Sequence, residues 1–148
     1  MTRTRVEVEV DAPPEEVWKV VADPRNLPRW DRRIARVTGV PANGLKKGSR
    51  YTTEVRFMGI RAPVDAEVLE IDPPREALVR LSGIIDATIH TVVTPQDGGR
   101  SRLEHEVDYR FKGGALGAMA AQALRLTGGP ALALRRGTNA QKEQVEEG

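Results

Sequence analysis

One of the two histidines in this sequence falls within an apolar pattern. Over residues 102–111, apolar and aromatic residues alternate with charged ones, and His105 shares its phase with Leu103, Val107 and Tyr109. A period of two is typical of a strand with one buried face, so we expect the His105 imidazole to point inward. There it could transfer a proton or anchor a ligand carbonyl. The alternative is a core histidine paired with a neighbouring hydroxyl or carbonyl.

Hydroxyl groups are expected on the same face. Tyr51, Thr53, Thr91 and Tyr109 all share the phase of apolar neighbours, whereas His90 falls out of phase and is expected outside. A few polar groups among many apolar ones are typical of small-molecule pockets. A tyrosine there could protonate an enolate, or it could be a core ring with its hydroxyl at the rim. His105 and Tyr51 are therefore our candidate catalytic residues.

Several further side chains are candidates for ligand binding. The strand phases, a predicted short helix and the C-terminal helical region contribute Thr53, Val55, Phe57, Val79, Leu81, Ile89, Thr91, Leu103, Val107, Tyr109, Met119 and Trp30. The alternative for the methionine is simple packing, because methionine fills irregular gaps. Trp30 is expected to close one end of the sheet and could touch a ligand.

The sequence argues against several classes of function. It contains no cysteine, nucleophile elbow, H-E-x-x-H motif or phosphate-binding glycine loop, so we expect neither a cofactor nor a metal site. The net charge of +2, without a clustered basic patch, argues against nucleic acid. No signal peptide or membrane-spanning segment is evident, which excludes stable membrane insertion and is compatible with a cytoplasmic protein. A homodimer through sheet edges or the long helix is compatible with the pattern.

The order of elements predicts an α+β fold. A strand at 3–11 precedes two short helices, beginning at Pro13-Pro14 and Pro24, and six strand-like runs follow from Ile34 to Phe111. A long helix is expected from about residue 116 to 146, interrupted at Gly128-Gly129-Pro130. We expect one domain over residues 1–148, in which a curved seven-stranded antiparallel sheet wraps around the C-terminal helix and leaves a pocket.

Two segments resemble a known family. Residues 6–18 (VEVEVDAPPEEVW) and 23–30 (DPRNLPRW), together with the element order, resemble the START-like (SRPBCC) polyketide cyclase/dehydrase superfamily over essentially the whole chain. The resemblance implies the helix-grip fold, shared with the major birch-pollen allergen. The family includes aromatase/cyclases, dehydratases, lipid and hormone carriers, and stress-response proteins. A cavity arginine often matters in the aromatase/cyclases, and the nearest candidate, Arg80, is out of phase unless a β-bulge reverses the strand.

Three functions remain open from the sequence. The first is a carrier that binds a hydrophobic small molecule such as a lipid, a polyketide or an aromatic metabolite. The second is a cofactor-independent polyketide cyclase or dehydratase in which His105 or a tyrosine transfers a proton. The third is a stress-related protein-interaction module whose cavity is small. An open cavity behind an inward-facing His105 favours the first two, and a solidly packed interior favours the third.

Overall fold

The architecture is a single curved sheet partly covered by helices. A computed structural model describes residues 2–126 and 128–147, while the side chains of Thr2, Phe57 and Leu116 lie outside the described part. The elements are β1 (Thr2–Val10), α1 (Pro14–Val21), a 3₁₀ turn (Pro24–Asn26), α2 (Leu27–Trp30), β2 (Ile34–Thr38), β3 (Arg50–Phe57), β4 (Ile60–Asp72), β5 (Glu76–Gly83), β6 (Ile85–Gln96), β7 (Arg100–Phe111), α3 (Ala115–Leu126) and α4 (Gly129–Glu147).

The seven strands form one antiparallel sheet in the order β1-β7-β6-β5-β4-β3-β2. The predicted α+β class, the seven strands and the two short helices after the first strand are confirmed. β4 is longer than its predicted core of residues 64–68. A register shift between Val68 and Glu70 brings Ile71 onto the inner face, so simple alternation stops at this bulge.

The outer face of the sheet carries cross-strand ion pairs. Arg3 lies 3.0 Å from Glu106 and 2.9 Å from Asp108, and Arg80 lies 2.9 Å from Glu67. Exposed pairs of this kind contribute at most about 1 kcal/mol each, so their main effect is to keep this face in water. Arg80 is therefore on the outer face, as its phase predicts, and the bulge in β4 does not bring it inside.

One end of the inner face is filled by α1. The helix begins with Pro14 in its first turn, followed by two acidic residues that favour the positive end of the helix dipole. Its Val17 and Trp18 pack against Val10, Val93 and Leu103, and Val10, Val17 and Leu103 are 0% exposed. This group, which we call the α1 core, leaves no space for a ligand at that end of the strands.

The predicted long C-terminal helix is two helices, with the break where the glycines predicted it. Gly128 and Gly129 have φ values of +102° and +86°, in the left-handed region that other residues rarely adopt. The connection from β7 into α3 depends on another glycine. A Cβ on Gly117, near the start of α3, would clash with the carbonyl oxygen of Lys112. The chain can therefore turn from β7 into α3 and turn again between α3 and α4.

We predict that leucine truncations distinguish the filled end of the sheet from the rest. Leu103→Ala leaves a void in the α1 core and should lower the free energy of unfolding by about 2–5 kcal/mol. Leu81→Ala is the matched control, because Leu81 already borders open space and its loss should cost clearly less. Urea denaturation of both variants measures the difference, and equal losses would contradict a filled end beside an open one.

Candidate functional site: an apolar cavity between sheet and helices

A cavity of about 410 Å³ lies between the inner face of the sheet and the helices. Small-molecule pockets have volumes of about 300–1,000 Å³. The strands contribute Tyr51, Thr53, Val55, Val64, Val68, Ile71, Ala77, Val79, Leu81, Ile85, Ala87, Ile89, Thr91, His105, Val107, Tyr109 and Phe111. The helices contribute Trp18, Val21, Leu27, Trp30, Ala120, Ala123, Leu124, Pro130, Ala133, Leu134, Gly137, Thr138 and Gln141.

Alternation along the strands explains this lining. Alternate residues within 51–55, 77–81, 85–91 and 105–111 turn toward the cavity, while charged residues between them form ion pairs outside. At the far side, Trp30 of α2 borders the cavity and donates its indole N–H to Gln144 Oε1 of α4 at 2.8 Å. The sheet, α2 and α4 therefore enclose one volume.

Most of the candidate site residues meet at this cavity. The two candidate catalytic residues and nine candidate ligand-binding residues line it: His105, Tyr51, Trp30, Thr53, Val55, Val79, Leu81, Ile89, Thr91, Val107 and Tyr109. His90 lies outside, 44% exposed and 3.0 Å from Glu76, in agreement with its phase.

Two candidates do not line the cavity, and one cannot be assigned. Leu103 has the expected phase, but it lies so far along β7 that the α1 core covers it completely. Met119 packs beside Ala62 and Ala120, where α3 meets the sheet, so it fills a gap between elements and does not border the ligand space. The side chain of Phe57 lies outside the described residues.

His105 has a hydrogen-bond partner at each ring nitrogen. Its Nδ1 lies 2.9 Å from the Thr91 hydroxyl, and its Nε2 lies 2.6 Å from Gln141 Oε1. An amide oxygen can only accept, so Nε2 carries the proton and the Thr91 hydroxyl donates to Nδ1. Burial lowers the pKa of His105, outweighing the opposite effect of the Gln141 hydrogen bond. The imidazole is therefore neutral at neutral pH and holds no nitrogen free for a ligand.

The cavity hydroxyls differ in their availability. Thr53 Oγ1 donates to the carbonyl of Val64 at 3.2 Å, and Thr91 is occupied by His105. No described residue hydrogen-bonds to the Tyr51 hydroxyl, and burial raises the pKa of Tyr51 to about 12. Tyr51 is therefore a neutral phenol over the physiological range, able to donate to a ligand.

Charged side chains at the cavity pair with each other. Asp31, directly after α2, accepts from Arg33 Nε at 2.9 Å and from its Nη2 at 2.7 Å. Burial alone would raise the pKa of Asp31, but the hydrogen bonds and charge of Arg33 lower it below its ordinary value. The two charges of this pair cancel, so the pair adds polar groups but no net charge to the wall of the cavity.

Sequence reasoning missed Gln141 and the Asp31–Arg33 pair. A signal for Gln141 exists, because Leu134, Thr138, Gln141 and Val145 recur at helical spacing and form the face of α4 that turns toward the sheet. A polar residue on that apolar stripe is unusual enough to mark it. No such signal exists for Arg33, which lies in an arginine-rich segment whose other members are exposed.

The described residues, 2–126 and 128–147, contain no group of three or more histidine, aspartate or glutamate residues suited to a metal ion. Among the same residues, no helix is long and apolar enough to cross a membrane.

Residues 1–140 match the family model described as polyketide cyclase/dehydrase and lipid transport. The chain belongs to this family. The match covers the sheet, both short helices, α3 and most of α4, so the expected resemblance is confirmed. No curated protein matches the sequence significantly.

Solved structures share the fold of this family member. The Zhui aromatase/cyclase from Streptomyces sp. R1128 superposes with a TM-score of 0.75 at 16% identity, over 99% of this chain and 94% of that one. Ara h 8.0201 gives 0.71 at 19% identity, covering 99% of each chain. A START superfamily protein from Mycobacterium smegmatis gives 0.71 at 18% identity, over 98% and 97%. Identities this low establish the fold and leave the ligand to be argued from the cavity.

We predict that His105 makes the fold less stable in mild acid. Its pKa is lower in the folded chain than the 6.5 of a free histidine, so the unfolded chain binds more protons as the pH falls below 6.5. The free energy of unfolding should therefore fall below this pH by up to about 1.4 kcal/mol per pH unit.

His105→Gln should lose this part of the pH dependence, whereas His90→Gln, which changes an exposed histidine, should keep it. Urea denaturation between about pH 7.5 and pH 5, above the range of ordinary carboxyl groups, makes the comparison. Identical profiles for wild type and His105→Gln would show that the pKa of His105 is the same in the folded and the unfolded chain.

Proposed function

We propose that residues 1–148 form one domain that binds a hydrophobic small molecule in the cavity between the sheet and α4. The observation that supports this most is an open volume of about 410 Å³ with an apolar wall beside a fully packed α1 core. Interiors are normally close-packed, so a void of this size is costly unless a ligand fills it. The family description, which includes lipid transport, agrees with this proposal.

The open volume also argues against the interaction module, whose interior would be filled with side chains. Proton transfer by His105 has less support than binding, because both ring nitrogens are already bonded to protein groups and burial favours the neutral ring. The proposal therefore assigns His105 a structural task within a binding site, and lipids, polyketides and aromatic metabolites are the ligand classes it covers.

A cavity-filling variant tests the proposal. Gly137 of α4 lines the cavity, and a Cβ placed on it would meet only the carbonyl oxygen of Trp30, at 4.0 Å. Gly137→Leu should therefore extend into the cavity and lower the affinity for a neutral apolar probe such as N-phenyl-1-naphthylamine at least about tenfold. It should not weaken the fold, because leucine favours a helix over glycine by about 0.8–1 kcal/mol.

Asn139→Leu is the matched control, since it adds the same side chain to an exposed position of α4. Fluorescence titration gives the affinities, and urea denaturation shows that both variants are folded. Equal affinities of Gly137→Leu and wild type would place the probe outside the cavity, and absence of binding to the wild type by any apolar probe would refute the proposal.

A further inference from the structure

The side-chain amide of Gln141 presents unused hydrogen-bond donors to the cavity. Gln141 is 8% exposed and lines the cavity, and its Oε1 is occupied by His105. No described residue accepts a hydrogen bond from its Nε2, which carries two hydrogens. Fully buried side-chain nitrogen and oxygen atoms in the described part of the chain all have partners, so this nitrogen must have open space beside it. The open space that Gln141 borders is the cavity.

The direction of the amide is set by its neighbours. The structure places Gln141 Oε1 on His105 Nε2, so in this arrangement Nε2–H donates to the amide oxygen and the Thr91 hydroxyl donates to Nδ1. Turning the amide over would set N–H against N–H unless the ring proton also moved to Nδ1. One turn further along α4, Gln144 accepts from Trp30 at 2.8 Å and donates to Asn26 at 3.3 Å, which fixes the helix itself. The Gln141 donors therefore keep a constant position.

The wall around this amide selects against charge. Among the described residues that line the cavity, the charged ones are Asp31 and Arg33, and these two neutralise each other through two hydrogen bonds. A ligand carboxylate would find no unpaired cation, and burying it without one is costly. A carbonyl oxygen needs only donors, which is what the Gln141 amide nitrogen offers.

We propose that Gln141 determines specificity, donating a hydrogen bond to an uncharged carbonyl-type oxygen on an otherwise apolar ligand, with His105 as the residue that positions it. This inference rests on the proposed function, because it names the class of ligand for the same cavity. Aromatic or aliphatic ketones and esters fit this description, and free fatty acids do not.

Three probes of one shape test the inference on the intact chain. 2-Acetylnaphthalene carries a ketone, 2-isopropenylnaphthalene replaces its oxygen with a methylene group, and 2-naphthoate carries a negative charge. The wild type should bind the ketone about tenfold or more tightly than the alkene, since the alkene leaves the amide donors unpaired, and should bind 2-naphthoate less tightly than the ketone. Isothermal titration calorimetry measures all three.

The outcomes separate this inference from the proposed function. Equal binding of ketone and alkene would overturn the role of Gln141 while leaving the apolar cavity as a binding site. Tightest binding of 2-naphthoate would overturn the selection for an uncharged ligand and indicate that Arg33 leaves Asp31 to pair with an anion. Failure of the alkene and the ketone alike would count against the proposed function itself.

Variants of Gln141 identify the group responsible. Gln141→Glu keeps an oxygen for His105 Nε2–H but replaces the donor nitrogen with an acceptor, so the preference for the ketone should disappear. If the glutamate variant does not fold, Gln141→Met combined with His105→Leu removes the amide donors without adding charge and without freeing His105 Nε2–H, and it gives the same expectation. Gln122→Met is the control, because Gln122 is exposed on α3 and its replacement should leave the preference unchanged. A ketone preference that survives both Gln141 variants would overturn the proposal.

The carbonyl stretching band of the bound ketone reports on His105. With ¹³C at the carbonyl, the infrared band in the wild type should lie at lower wavenumber than in an alkane solvent, because hydrogen bonding weakens the C=O bond. His105→Leu frees the amide to rotate and should move the band toward the alkane value, while the alkene still binds. A band at the alkane value in the wild type would refute the hydrogen bond, and an unchanged band in His105→Leu would refute the positioning role.

Discussion

A hydrogen bond of 2.6 Å between His105 and Gln141 joins the middle of the sheet to α4. Both side chains are buried, and removing either would leave the other without its partner, so the position of the helix and the orientation of the imidazole depend on each other. Thr91 completes the chain on the neighbouring strand β6. The bond between His105 and Gln141 fixes α4 against β7, and the bonds of Gln144 fix it against α2 and the turn before it.

The division of the sheet into two faces and two ends explains the rest of the structure. Cross-strand ion pairs keep the outer face in contact with water. On the inner face, α1 closes one end with Val17 and Trp18, whereas α2, α3 and α4 arch over the remainder. The break at Gly128-Gly129 separates α3 from α4, and both helices contribute side chains to the lining of the cavity.

Much of this was predictable from residue alternation, and the failures have identifiable causes. The phase of residues 102–111 predicted an inward-facing His105, and the phase of its own strand predicted an outward-facing His90. The structure confirms both orientations. Alternation defines which face a side chain occupies but not how far along the strand a covering helix extends, so Leu103 was assigned to the cavity although α1 buries it. The assignment of Met119 to the cavity differs from the structure for a related reason, since helical spacing alone does not reveal which neighbouring element a helix packs against. Gln141 was missed although helical spacing places it on the face of α4 that turns toward the sheet, because the spacing does not show that its amide meets His105 of β7.

The separation of a packed end from a hollow end has a consequence for how such proteins diverge. Substitutions at lining positions away from the α1 core, such as Val79 and Leu81, change the size and polarity of the cavity without removing contacts from that core, so many of them should be nearly neutral for folding. Selection on the shape of the cavity and selection on stability therefore act on largely different positions of one small sheet. The cavity can change by single substitutions, each of which leaves a folded protein, and this is consistent with structures of 16–19% identity sharing one architecture.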